Sequence, residues 1–319
     1  MKTTEHESAI ADAESAVRNR PNNFTTFMDL GSAYFETDRL DEAMKAFQRA
    51  IALNPGAAPA YCKIGWIHYR IGTPQQAIVA YEQAITNDPQ FLFSYDALGY
   101  LYATKLFEYD HAINTYERGL AANPANPFLT AGLGSTYMRM GQMEKALEIL
   151  EQSAKEHPDQ LFAPSWLSFL YLHQQRLDEA AASCRREIEL KEDAHSPHRV
   201  LGYIYTALGR NGDAIVELER AIELEPRDYE ARGALAKVYR ASGNPSAAEY
   251  QYNTGLEMAV QDDEEAGQAC FFAVYGNIDQ ALALLETAVA KGQVHPSWIR
   301  IDPEFAFIQN EPRFQALLR

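Results

Sequence analysis

The sequence predicts an all-α chain of stacked helix pairs, and three observations carry that prediction. One pattern of large and small apolar residues recurs with a 34-residue period. Within each copy the apolar residues recur at spacings of three and four, which gathers them on one helix face. Glycines and prolines stand at fixed places between these stretches, where a helix must stop. Length alone, at 319 residues, would suggest two domains. The repeat replaces that expectation with a single array in which each unit buries its apolar faces against its neighbours.

The elements follow in order. Residues 1–23 carry Ala9, Ala13, Ala16 and Pro21, which match the second half of a unit and predict a capping helix. The first full unit, 24–57, has Leu30-Gly31, Tyr34, Ala43, Phe47, Ala50 and Pro55. Adding 34 gives Ile64-Gly65, His68, Ala77, Tyr81, Ala84 and Pro89 in unit 58–91. Unit 92–126 has Leu98-Gly99 and Tyr102, then one extra residue within Lys105–Asp110, most simply a longer turn. Units 127–160, 161–194, 195–228, 229–262 and an eroded 263–293 complete about eight repeats. In the fifth, Ser168 replaces the usual Gly and Glu192 the usual Pro.

Each spacing has a physical reason. The small residues Gly31, Gly65, Gly99, Gly134 and Gly202 let two helix backbones approach closely. Gly72, Gly141, Gly209, Gly243 and Gly276 fall where the first helix ends, a place that favours the left-handed backbone. The Xaa-Pro pairs that follow close the second helix.

Composition excludes several functions. With 28 basic and 44 acidic residues the net charge is −16, which argues against general nucleic-acid binding and against attraction to an anionic membrane. Cys62, Cys184 and Cys270 lie far apart, so neither a disulfide framework nor a zinc module is expected. No apolar run approaches the roughly 18 residues of a membrane span, and no signal-peptide core opens the chain. A cytoplasmic protein with no membrane insertion is the expectation.

The pattern of Leu-Gly, Tyr, Ala, Phe/Tyr, Ala and Pro resembles the tetratricopeptide repeat over residues 24–293. The resemblance implies a right-handed α-α superhelix whose first helices line a concave groove for partner peptides or domains. Residues 294–319 break the period. They resemble a tail that closes bacterial repeat proteins of this kind, with Trp298, Asp302-Pro303 and Pro312-Arg-Phe314-x2-Leu317-Leu318. Trp298, Phe305, Phe307, Phe314 and Leu317 are expected to plug the last helix pair as a C-terminal cap. An apolar partner or dimer contact through Trp298–Leu318 is the alternative, so the oligomeric state stays open.

No catalytic constellation emerges. Gly132-Leu-Gly134-Ser-Thr-Tyr137 begins like a phosphate loop but lacks the final Gly and a preceding strand. His195 and His198 have no third ligand in register, so solvated residues near a helix start are expected there instead of a metal. The run Asp262-Asp-Glu-Glu265 reads as a solvated helix start favoured by the helix dipole. The expectation is therefore no enzyme, no cofactor and no metal.

The groove carries the functional signal. By helical phase, and given the family fold, the residues facing it include Phe35, Trp66, Tyr69, Arg70, Phe93, Tyr100, Phe128, Arg139, Phe162, Phe169, Arg199, Tyr203, Lys237 and Arg240. Met138 and His173 join them on the same reasoning. The charged members are Arg70, Arg139, Arg199, Lys237 and Arg240 against Glu36, Asp96 and Glu230, five minus three or +2. Aromatics and Arg dominate binding hot spots, which points to a protein or peptide partner with an apolar–acidic segment, and packing of the aromatics between adjacent first helices is the alternative. The repeat type that clamps a chaperone's terminal carboxylate would need Lys and Asn where Met28, Ser32, Cys62 and Trp66 stand. A non-catalytic scaffold is the leading expectation, and a regulatory or substrate-recognition subunit for an enzyme supplied in trans is the second.

Overall fold

The computed structural model describes residues 2–124, 126–261 and 265–319. Its helices form two compact units that divide between Thr136 and Tyr137, where the sequence suggested one continuous array. The first contains α1 (Lys2–Asn19), α2 (Phe24–Glu36), α3 (Leu40–Leu53), α4 (Ala58–Arg70), α5 (Pro74–Asn87), α6 (Phe93–Leu101) and α7 (Tyr109–Ala122). Helix α8 (Pro127–Arg139) runs across the division. The second contains α9 (Met143–Glu156), α10 (Phe162–His173), α11 (Leu177–Leu190), α12 (His195–Ala207), α13 (Asn211–Leu224), α14 (Tyr229–Ala241), α15 (Pro245–Gln261), α16 (Glu265–Tyr275) and α17 (Ile278–Ala290). The tail adds α18 (Pro296–Ile299), a 3₁₀ turn at Pro303–Phe305 and α19 (Pro312–Leu317).

Helix pairing follows from one small-for-large exchange. A methyl group on Gly31 would lie 2.6 Å from the ring of Phe47, so only glycine lets α2 and α3 close on that fully buried side chain. Gly65 stands in the same relation to Tyr81. The fifth repeat breaks the rule in a compensated way. Its first helix carries the larger Ser168, and the facing place is filled by the smaller Cys184, both of them buried. The expected turn glycines have φ of +74° (Gly72), +79° (Gly141), +70° (Gly209), +76° (Gly243) and +96° (Gly276), the left-handed backbone that the pattern required.

A second device recurs that the apolar pattern does not reveal. Tyr34, Tyr171 and Tyr239 each donate from the phenol to a glutamate twenty residues earlier, Glu14, Glu151 and Glu219, at 2.8, 2.6 and 2.5 Å. Arginines five residues after Tyr34, Tyr171 and Tyr205 stack over those rings at 4.4–4.5 Å. The phenol–glutamate bonds join a first helix to the second helix before it, and the arginines cover the same rings from the turn that follows.

The extra residue of the third repeat is absorbed within the helix itself, and the expected longer turn is not what forms. Helix α6 continues into a π-helical turn at Tyr102–Leu106 and ends at Phe107, which adopts φ +57° although it is not glycine. A π turn accommodates one added residue without unwinding the helix.

Candidate functional site

The residues expected to face a partner are placed differently in the two units. In the first they form a ring-lined surface on α2, α4, α6 and the start of α8. Trp66, Tyr69 and Tyr100 make a mutual cluster, with centroids 5.3 Å (Trp66–Tyr69), 6.0 Å (Tyr69–Tyr100) and 6.5 Å (Trp66–Tyr100) apart. Phe93 packs beside Phe91 at 5.7 Å and Phe128 at 6.0 Å. Phe93 is 63% exposed and Tyr100 42% exposed, unusual values for large rings. Cations edge the surface. Lys63 and Arg70 lie over the Phe35 ring at 5.6 and 5.2 Å, and Lys105 lies over Tyr69 at 5.3 Å. Arg70 also bonds Asp38 Oδ1 at 2.9 Å.

The π turn ends beside this surface, and Lys105, whose ammonium covers Tyr69, lies within it. Asp96 lies on the same α6 stripe as Phe93 and Tyr100. Burial pushes its carboxyl up to about 7. Sequence phase found these rings and Asp96, while the aim of Lys105 depends on the π turn and had no sequence signal.

In the second unit the corresponding surface is occupied by the chain's own tail. Arg199 and Tyr203 of α12, expected to meet a partner, instead hold Glu304. Arg199 Nη2 lies 3.2 Å from Glu304 Oε1, and Tyr203 donates to the same oxygen at 3.1 Å. Arg199 also pairs with Asp228 and Glu230, each at 3.3 Å. His173 Nε2 bonds the Asp302 carbonyl at 3.1 Å, Gln309 donates to the His173 carbonyl, and Gln175 donates to the Ala306 carbonyl at 3.3 Å. The open groove expected at Arg199 and Tyr203 is therefore corrected here. The period-breaking tail supplies an acidic–aromatic segment, Asp302-Pro-Glu304-Phe305, complementary to the buried arginine.

Four carboxyls, Asp228, Glu230, Asp302 and Glu304, gather around that one guanidinium, and the electrostatics sort them. Burial works against Asp228, but Arg199 and the hydrogen bond from His195 hold it at about 2. Arg199 likewise outweighs burial at Glu304 and keeps it below the usual range. Burial pushes Glu230 up to about 8, and burial with the adjacent Glu304 charge pushes Asp302 well up. The arginine thus favours the ionised form of Asp228 and Glu304, while burial favours the protonated form of Glu230 and Asp302.

The apolar half of the tail completes the second unit's core. Ile299, Phe305 and Phe314 are buried with Phe271, Phe272, Leu282 and Leu285, and Trp298 meets Phe305 edge-on at 6.1 Å. Phe307 departs from the expected plug, being 41% exposed. Arg300 lies against the Gly141 turn, and Arg139 lies close enough to His295 to add to the lowering that burial causes there.

The remaining expected residues are scattered among other roles. Phe162 is 37% exposed, and Phe169 packs edge-on to Trp166 at 6.0 Å. Lys237 covers the Gly276 turn, and Arg240 bonds the Tyr275 phenol at 2.8 Å over its ring. Met138 is fully buried, so it faces no groove. His198 is not solvated as expected but ties α12 to Glu217 of α13 at 2.7 Å. His195 bonds Asp228 at 3.2 Å. Of the acidic run, Asp262–Glu264 lie outside the described residues, and Glu265 pairs with Lys291. Among the described residues no group of three or more His, Cys, Asp or Glu is placed to hold a metal ion, and no helix is long and apolar enough to cross a membrane.

Helix pairs in a 34-residue register, closed by small-for-large packing and lined by first helices, define a tetratricopeptide repeat protein. A model of that repeat matches residues 31–72. The model of the cilia and flagella-associated protein 70 C-terminal domain matches residues 57–271, about two thirds of the chain, and the chain belongs to that family. Among curated proteins it is similar to human Superkiller complex protein 3, 32% identical over 72 residues that make up 23% of this chain and 5% of that protein. It is also similar to Hsp70-Hsp90 organizing protein 2 of Arabidopsis thaliana, 26% identical over 134 residues, 41% of this chain and 23% of that one. The chain thus spans at most about a quarter of these relatives' length.

Two solved structures share the fold at low identity. One is the APC/C hetero-tetramer Cut9-Hcn1, with TM-score 0.60, 18% identity, and coverage of 80% of this chain and 50% of that one. The other is a tetratricopeptide repeat protein from Parabacteroides merdae, with TM-score 0.54, 16% identity, and coverage of 81% and 98%. Such repeats generally mediate protein–protein contacts and are generally non-catalytic.

Proposed function

We propose that the protein is a non-catalytic scaffold or adaptor that receives an apolar–acidic segment of a protein partner in the concave groove implied by its family. The receiving surface is the ring-lined face of α2, α4 and α6. The observation that carries this reading is the exposure of Phe93 and Tyr100 beside Trp66 and Tyr69. An apolar surface of this kind gains by being covered. Lys63, Arg70 and Lys105 at its edge favour acidic residues flanking the partner's apolar anchors. The tail gives a precedent within the chain, since its own acidic–aromatic segment occupies first-helix residues of the second unit.

The test is comparative capture from a native lysate with the wild-type chain and a Trp66→Ala/Phe93→Ala variant that retains its helical signal. A partner bound stoichiometrically by the former and lost by the latter supports the reading. Equal capture by both proteins would remove this face from it.

A further inference from the structure

Counting repeat by repeat, Asp96 and Arg199 occupy the same place, two residues before the large apolar residues Leu98 and Leu201. Tyr100 and Tyr203 likewise share the place one turn later. In the second unit these two places act together on one carboxylate. Arg199 and Tyr203 both reach Glu304 Oε1 of the tail. The chain therefore shows what this pair of places does when occupied: it reads the charge of a segment, here the 3₁₀ turn of the tail, lying over α12.

In the first unit the first of these places carries the opposite charge, Asp96, and the second again a tyrosine, Tyr100, and no segment among the described residues covers them. Asp96 has no side-chain hydrogen bond or ion pair among the described residues, although it is largely withdrawn from water. The cations of that face point elsewhere: Lys63 and Arg70 to the Phe35 ring, Arg70 also to Asp38, and Lys105 to Tyr69. A desolvated carboxylate without a counter-charge is costly, and a cation placed on it from outside removes that cost. The rings of Trp66 and Tyr100 stand 6.5 Å apart one turn along, the kind of aromatic surface over which ammonium and guanidinium groups settle.

We propose that Asp96 receives a lysine or arginine side chain of the partner segment, seated against Trp66 and Tyr100, and so fixes that segment's register. The inference rests on the reading that this face meets a partner segment, and it adds one central basic position between the acidic flanks.

The probe is the chain's own tail sequence, a fluorescein-labelled peptide of residues 300–309, compared with its Glu304→Lys version by anisotropy against the full chain. Wild-type protein is expected to bind the E304K peptide about tenfold more tightly than the native-sequence peptide. Asp96→Arg is expected to reverse that order, and Asp96→Asn, which perturbs packing less, to abolish the preference without reversing it. An unchanged preference in both variants overturns the proposal, as does failure of wild type to bind either peptide. Equal binding of both peptides, weakened alike by Trp66→Ala, leaves the partner face standing and removes Asp96 from it. Equal capture by wild type and Trp66→Ala/Phe93→Ala would instead remove the face.

Discussion

The first-helix surfaces of the two units differ in what covers them. Around Trp66, Phe93 and Tyr100 the rings are partly or largely open, whereas around Arg199 and Tyr203 the chain has laid its own tail. Both surfaces come from the same repeat position and the same helix phase. The difference teaches that a repeat face is a binding surface only while nothing in the chain is complementary to it. Once an acidic–aromatic tail follows a buried arginine, the same face becomes core, with Phe305 and Phe314 sealing what would otherwise be a groove.

The largest expected effect breaks that closure. Arg199→Ala leaves Asp228 and Glu304 ionised without their guanidinium and should cost about 3–5 kcal/mol in the second unit. Hydrogen exchange should show protection lost in residues 296–314 and retained in α4 and α5. A uniform loss would show that the cluster does not act locally. A double-mutant cycle with Glu304→Gln would isolate the pair, because much of the single-mutant cost is the carboxylate left behind.

Next comes the pH response of the closure. Glu230 is raised from an ordinary 4.5 to about 8, so the folded state holds a proton that the unfolded chain has already lost. Stability from this group is full below the unfolded value and falls as pH rises through about 8. Asp228, lowered to about 2, works oppositely and loses its contribution in acid. Tail protection should therefore be greatest in mildly acidic solution and decline toward alkaline pH. In Glu230→Gln, whose side chain does not titrate, the alkaline decline should shrink. Protection that rises steadily to pH 9 would contradict the assignment.

A smaller effect separates scaffold from surface in the first unit. Gly65→Ala forces a methyl group into the Tyr81 ring and should cost about 1–3 kcal/mol by denaturant unfolding. Phe93→Ala, on the exposed side of the same unit, should change stability by no more than about 0.5 kcal/mol. If the two costs were equal, Phe93 would be a packing residue instead of an open one.

The finest prediction concerns Asp96, which burial raises to about 7. It is neutral below that value and charged above it, so affinity for the E304K peptide should increase from about pH 6 to about pH 8. A flat profile in wild type, or the same rise in Asp96→Asn, would sink the assignment.

Much of this molecule is legible in its residues alone. The 34-residue period, the glycine facing Phe47 or Tyr81, and the turn glycines at positive φ are local requirements, set by helix phase and backbone sterics. The aromatic members of the first unit's face are legible for the same reason, since one face of a helix is a matter of counting. Other features depend on distant partners. The fate of Arg199 rests on a residue more than a hundred positions away, Glu304, and the aim of Lys105 on how one extra residue is absorbed as a π turn.

The sequence by itself determined the helix pairs, their packing code and which residues share a face, because those follow from periodicity within thirty or so residues. Only the tertiary structure decided which of the two faces stays open and which is filled. That outcome is set by long-range complementarity of charge and apolar shape, which counting along one helix does not contain.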